Sequence, residues 1–364
     1  MFPDWVGHFS YHNMTKLWLG RCKNCWVVPS LGQLPSLESL FISEFNMVKK
    51  IGGEFYKADG THHHHFRSLK YLSFEDMGCW EEWEPYECDD APFPQLEVLS
   101  IRKCPKLRGD LPTFLPSLKQ LMIEGCSELG CYLPRAPILR HLGIHGKQEA
   151  RMRELSLSML ETLWVYGEQQ VEYLFDAMTH TRPTSLKVLS IANCSSVVSF
   201  AGDSLPPSLE ELYMYDCKNV EFPMQYQQHH SLHTLVIDNS CDSLTSFAFP
   251  VFPNLTSLRI KRRENLTCLE EMSELHSLRY LSIELCPKLH SIRLPSFLRQ
   301  LWIRECPLLG ERIERKDPHI WPSISHIPYI SVDLKNIPNG PTSSNRILNL
   351  EDLNFICRNS MRVE

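Results

Sequence analysis

Four groups of residues in this 364-residue chain combine reactive types with suggestive spacing. Cys22 and Cys25 form a C-x-x-C, half of a zinc or redox motif. His62 to His65 run together as a ready set of metal ligands. His141 and His145 bracket the phrase HLGIH, and Arg259, Lys261, Arg262 and Arg263 crowd into LRIKRREN. No second cysteine pair stands at finger spacing from the first, so no zinc site is expected. The tetrahistidine run lies in the longest insert of the chain and reads as a solvated loop. No G-x-x-x-x-G-K-[ST], G-x-G-x-x-G, G-x-S-x-G or H-E-x-x-H occurs, and the expectation is a protein that is not an enzyme, with no catalytic residue, no metal and no cofactor.

Composition narrows the class. Asp and Glu number 43 against 37 Lys and Arg, a formal charge of −6, which argues against nucleic acid as partner. At 43% hydrophobic and 22% charged residues the chain has the makings of a large core. No apolar run approaches the length of a membrane span, and MFPDWVGHFSYHNMTKLWLG has neither the basic start nor the unbroken apolar stretch of a leader. A cytoplasmic protein without a membrane span is expected, in which the sequons at Asn13, Asn193, Asn254 and Asn265 are silent.

What would position the reactive residues is a repeat. FPQLEVLSIRKCPKLRGDLP is followed at once by FLPSLKQLMIEGCSELGCYLP, and Leu96, Leu99, Ile101 and Cys104 of the first match Leu118, Leu121, Ile123 and Cys126 of the second. The phrase L-x-x-L-x-(L/I)-x-x-C starts at Met14, Leu37, Leu69, Leu96, Leu118, Leu139, Leu160, Leu186, Leu209, Leu232, Leu255, Leu278 and Leu298. Spacing varies from 20 to 32 residues but is 23 four times running from Leu186 to Leu278. A weaker closing copy lies in WPSISHIPYISV around Ile324. Alternating leucines predict a short strand with one buried face, and the Pro-bearing loop after it predicts a return rather than a long helix. One coil buries too little to offset its ordering entropy, so neighbours must stack.

The fold class predicted is therefore an α/β solenoid: a curved leucine-rich-repeat array with a parallel β-sheet on its concave face and a convex side mostly of loops and short helices. It is expected to span 1–332 as about 13 repeats plus the closing copy, with 333–364 as linker and tail. Within that tail NIPNGPTSSN reads as linker and ILNLEDLNFIC as a short amphipathic helix. Cys22, Cys104, Cys126, Cys194, Cys217, Cys286 and Cys306 hold the ninth position of their copies, where a small apolar thiol suits an inward site. Neighbouring pairs lie within disulfide reach but are expected to stay reduced in a cytosol.

Outward strand positions carry Trp18, Phe41, Trp164, Tyr166, Tyr213, Tyr215 and Trp302, together with His141, His145, Arg259 and Lys261. Aromatics on a rigid sheet make a protein-binding surface, or simply favour strands; the histidines meet a partner or water; the basic residues face an acidic partner, another domain or solvent.

The stretches FPDWVG, PSLGQLPSLESLFI, VKKIGGEFY, LSFEDMGCWEEWE and FPQLEVLSIRKCPKLRGDLP resemble, in that order, the repeat region of plant coiled-coil nucleotide-binding leucine-rich-repeat disease-resistance proteins, over roughly residues 1–332. The resemblance implies a non-enzymatic recognition module of innate immunity, sensing a pathogen effector or a guarded host protein, or holding off a nucleotide-binding domain in cis or in trans. Neither the coiled coil nor the nucleotide-binding module of that family is present in these residues, so ATP binding transfers to no residue here. The alternative is a leucine-rich-repeat substrate adaptor of a ubiquitin ligase, for which no F-box is visible.

Overall fold

The computed structural model describes residues 4–56, 65–84, 92–130, 132–145, 157–180, 184–200, 205–222, 228–242, 252–269, 272 and 275–338. Each of the thirteen phrases forms one five-residue strand: Lys16–Gly20, Ser39–Ser43, Tyr71–Glu75, Val98–Arg102, Gln120–Glu124, His141–His145, Thr162–Tyr166, Val188–Ala192, Glu211–Tyr215, Thr234–Asp238, Ser257–Lys261, Tyr280–Glu284 and Gln300–Arg304. Tyr329–Val332 supplies the closing strand, and its repeat leucine position is Ile327 rather than Ile324. The strands make one 15-stranded sheet in chain order, parallel throughout except for the last pair, where Lys335–Asn336 folds back antiparallel.

Register follows from side-chain chemistry. Like positions stack on like: Leu17 on Leu40, Leu40 on Leu72, and Leu189 on Leu212. The second and fourth strand positions face inward, and Leu99, Leu121 and Leu189 are fully buried. Each such leucine contributes about 1.5–3 kcal/mol by leaving water, and only stacking keeps it dry on both sides.

A corner follows the strands, and at the described corners after the concave parallel strands the backbone turns left-handed. Arg21, Glu44, Asp76, Lys103, Gly125, Gly167, Asn193, Asp216, Asn239, Arg262, Leu285, Glu305 and Asp333 all have positive φ. The turn aims these N–H groups at the next coil, as in Asp76 to the Arg102 carbonyl at 3.0 Å and Leu285 to the Arg304 carbonyl at 2.9 Å, except at the closing coil, where Asp333 donates back to the Ile303 carbonyl at 2.9 Å. The buried thiols complete this corner. Cys104, Cys217, Cys286 and Cys306 each donate to the carbonyl two residues back, at 3.2 to 3.3 Å. The described cysteines are free.

Two departures from the sequence expectations occur in the connections. Between Tyr166 and Val188 the chain does enter a long helix, Glu168–His180, which buries Val171, Leu174, Phe175 and Met178. QVEYLFDAM has the helical period that a loop reading overlooks. The tetrahistidine run ends in His65, which is buried edge-on against Tyr56 at 6.4 Å rather than solvated. His62 to His64, and the tail from residue 339 on, lie outside the described residues.

Candidate binding surface

Every strand presents its first, third and fifth residues to the concave side, so three rows of side chains cross the sheet. The third-position row reads Trp18, Phe41, Ser73, Ser100, Met122, Gly143, Trp164, Ser190, Tyr213, Val236, Arg259, Ser282, Trp302, Ser331. The fifth-position row includes His145, Tyr166, Tyr215 and Lys261, and His141 stands in the first. All eleven expected surface residues thus occupy concave rows, but they do not form one continuous strip.

Three groups separate. Trp18, 77% exposed, meets Phe41 at 6.2 Å between ring centres at the N-terminal edge. In the middle, half-buried Trp164 and Tyr213 flank Ser190, which is covered between them. The small serine lets two large rings lie close on the sheet. Tyr213 is pinned by its hydroxyl, which donates to Glu211 at 2.6 Å. On the other side of Trp164 stands Gly143, whose absent Cβ is what makes room for Met122: a methyl there would sit 2.3 Å from the Met122 sulfur. Met122 consequently folds down and is 3% exposed.

The fifth-position row beside them is polar. His145 packs on Tyr166 at 5.1 Å and lies 3.8 Å from Glu124, which also faces Arg102 at 3.7 Å. The His145 contact first, then Arg102, hold the Glu124 carboxyl below its ordinary range against the effect of burial. Burial pushes His141 down from its ordinary range.

The C-terminal group corrects two expectations. Trp302 is not an exposed anchor: it is 9% exposed, with its ring against Tyr329 of the closing coil at 4.9 Å. The covering ring belongs to the weakest copy of the phrase, which is why the sequence did not show it. Nor do the four basic residues of LRIKRREN form one patch. Arg263 occupies a ninth position, where a cysteine usually stands, and is buried, donating to the carbonyls of Ser240 and Cys241. Arg262, on the left-handed corner, bridges Asp238 and Asp216. Only Arg259 and Lys261 reach the concave side. Burial opposes the Arg259 charge, but Tyr280, Glu284 and Tyr215 more than offset it, so the guanidinium is held above its usual range.

Cys22 and Cys25 lie half-buried in a turn closed by the Cys25 N–H to the Cys22 carbonyl at 3.0 Å. Among the described residues no group of His, Cys, Asp and Glu is arranged to hold a metal ion, and no helix is long and apolar enough to cross a membrane.

In-register parallel coils with leucine at the inward positions define a leucine-rich-repeat solenoid. Residues 1–45 match the family described as R13L1/DRL21 LRRs. The chain is 39% identical over 126 residues to one Arabidopsis thaliana protein and 32% identical over 229 residues to another, both named as putative disease resistance proteins, the second RPP13-like. These alignments take in 34% and 60% of this chain. Disease resistance protein RGA2 of Solanum bulbocastanum is 28% identical over 109 residues, 29% of this chain and 11% of that protein. Among solved structures, the plant peptide hormone receptor RGFR1 in complex with RGF2 aligns over 80% of this chain and 53% of that one, at 16% identity and a TM-score of 0.36. The chain is thus a leucine-rich-repeat solenoid that is similar, over part of its length, to plant disease-resistance proteins. It spans only 9% and 20% of the length of the two Arabidopsis relatives.

Proposed function

We propose that this chain is a non-enzymatic recognition module of plant defence that grips a protein partner with the middle of its concave face. The observation that carries the reading is the pair Trp164 and Tyr213, half-exposed on adjacent-but-one strands with Ser190 as the floor between them. Rigid rings bury large area at small entropic cost, which is the composition of interface hot spots. The disease-resistance relatives supply the biological setting, and a pathogen effector, a guarded host protein or a nucleotide-binding domain all suit such a surface. The relatives lend no support to the ubiquitin-ligase adaptor alternative.

The test is capture of partners from pathogen-challenged plant extract by the intact chain and by Trp164→Ala/Tyr213→Ala. Each ring at a hot spot is worth about 2 kcal/mol or more, so the pair should reduce capture by roughly a hundredfold or more. The thermal midpoint should stay nearly unchanged, since both rings lie outside the leucine core. Equal capture by the double variant would remove this surface from consideration.

A further inference from the structure

We propose that the cleft beside Trp302, at the C-terminal end of the concave face, receives a single carboxylate of a partner peptide, held by Arg259. The inference rests on the concave-face reading and narrows it to one pocket and one chemistry. The cleft measures about 140 Å³, room for a carboxylate group and its stem but not for a folded surface. Its walls bring Arg259, Lys261 and Arg304 together with the acid Glu284; Arg304 also pairs with Glu305 at 3.5 Å, which leaves Arg259 as the cation of the cleft with no carboxylate of its own among the described residues.

Glu284 is already engaged. Lys261 Nζ lies 3.3 Å from one of its oxygens, and the Ser282 hydroxyl donates to the other at 3.1 Å. Among the described residues Arg259 has no carboxylate within ion-pair distance. The Tyr280 hydroxyl lies beside it but makes no hydrogen bond of good geometry to any described group. A half-buried guanidinium carries a fork of donors that matches a carboxylate in two parallel bonds, and leaving it without an anion is costly.

A second observation points the same way. Trp302 forms part of the cleft wall, is nine-tenths buried, and its indole N–H is buried without an acceptor among the described residues. Buried donors without partners are rare in folded proteins. Arg259 and Trp302 stand in the same row two strands apart, with Ser282 between them. Two strand spacings are roughly 10 Å, and a serine floor leaves that interval open between two large side chains. The arrangement is large, small, large, as at Trp164, Ser190 and Tyr213, but with a cation in place of one ring.

The carboxylate has two sources, an acidic side chain or a chain terminus, and the experiment separates them. Fluorescently labelled hexaglutamate with an amidated C-terminus, amidated hexaglutamine, and hexaglutamine with a free C-terminal carboxylate are titrated into the full chain by anisotropy. The Trp302 indole N–H resonance, assigned with Trp302→Phe, reports the location. A saturable shift with hexaglutamate and none with amidated hexaglutamine is expected; a response to the free-terminus peptide adds the terminus as a source, and none restricts the site to side chains. Arg259→Gln should weaken hexaglutamate roughly tenfold or more, with Arg259→Lys intermediate because it keeps charge but not the fork. Should Arg259→Gln change the melting profile, Trp302→Phe, which removes only the N–H donor and some ring, replaces it in the anisotropy assay with a severalfold weakening expected. No saturable shift with either carboxylate peptide, or equal affinity in the folded variants, overturns the proposal. Trp164→Ala/Tyr213→Ala should leave hexaglutamate binding intact, so loss of the mid-face reading and loss of this one are read separately.

Discussion

Between Phe45 and Phe93 the solenoid is filled largely with rings, whereas between Leu186 and Cys306 it is filled mainly with leucine, isoleucine and thiols, with Phe200 and Phe252 the buried phenylalanines among the described residues. The difference tracks coil size. Phrases in the first region start 32 and 27 residues apart, in the second mostly 23. A longer coil encloses more volume, and the inserts carry the residues that fill it: Phe55 and Tyr56 from IGGEFY, Trp80 and Trp83 from CWEEW. These rings touch both within and across coils. Tyr56 lies 5.8 Å from Phe93 and its hydroxyl accepts from the Trp83 indole at 2.7 Å, while Trp80 lies 4.8 Å from Phe74. Among the described residues the regular region has a smaller ring contact, Phe222 and His229 against Phe252 at 5.9 and 6.4 Å, and each coil there meets mainly its two neighbours. One sequence therefore builds two kinds of core, one specified by interlocking shapes and one by repetition.

The sharpest way to break that contrast is Trp80→Ala. The residue is fully buried, packs on Phe74 and Trp83, and donates to the Glu82 carbonyl at 2.8 Å. Truncation should cost about 3–5 kcal/mol, measured as a shift in the urea midpoint. Because the rings interlock, hydrogen exchange should rise together across residues 45–99 and leave 186–306 protected. Uniform loss of protection along the whole chain would mean that the two regions do not differ as argued.

In the regular region the corresponding probe is Arg263→Cys, which restores the repeat phrase and yet should destabilise. Arg263 supplies charge-assisted bonds to two carbonyls, one at Cys241 at 2.8 Å, and it does so where the preceding coil has Ser240 in the thiol position. Ser240 in turn accepts the Cys217 N–H at 3.0 Å. Losing the guanidinium leaves those carbonyls without a donor, at a cost of about 2–3 kcal/mol by thermal or urea unfolding. A neutral or stabilising result would show that repetition alone specifies this region and that the arginine is incidental.

These residues also show what the amino-acid order makes legible. Strand positions are plain because inward leucines recur at fixed offsets whatever lies between them, and the eleven concave residues follow from counting outward from those leucines. Burial on the concave face is not plain, since it depends on what the next coil places alongside. Trp302 is covered by Tyr329, Met122 lies down because Gly143 is small, and Ser190 and Ser282 matter only through their neighbours. Arg263 was unreadable for the same reason: a charge in a cysteine position looks like surface until the carbonyls it meets are known. The left-handed corner left a faint trace, because Asn, Asp or Gly fills it at seven of the positions named above, but Arg21, Glu44, Lys103 and Leu285 obscured the pattern.

That corner gives the finest probe of how far repetition governs the regular half. Leu285 is a γ-branched residue at φ 53°, in a conformation that side chains other than Asn, Asp and Gly rarely adopt. Equivalent corners two and four coils earlier use Asn239 and Asn193. Leu285→Asn keeps the N–H to the Arg304 carbonyl and relieves the backbone, while the half-buried leucine side chain gives up little apolar contact. A gain of about 0.5–1 kcal/mol is expected, seen as a rise of a few degrees or less in the melting midpoint. If Leu285→Asn instead destabilises, the leucine contributes a packing contact between coils that outweighs backbone strain, and the regular half is held by specific shapes to the same degree as the aromatic one.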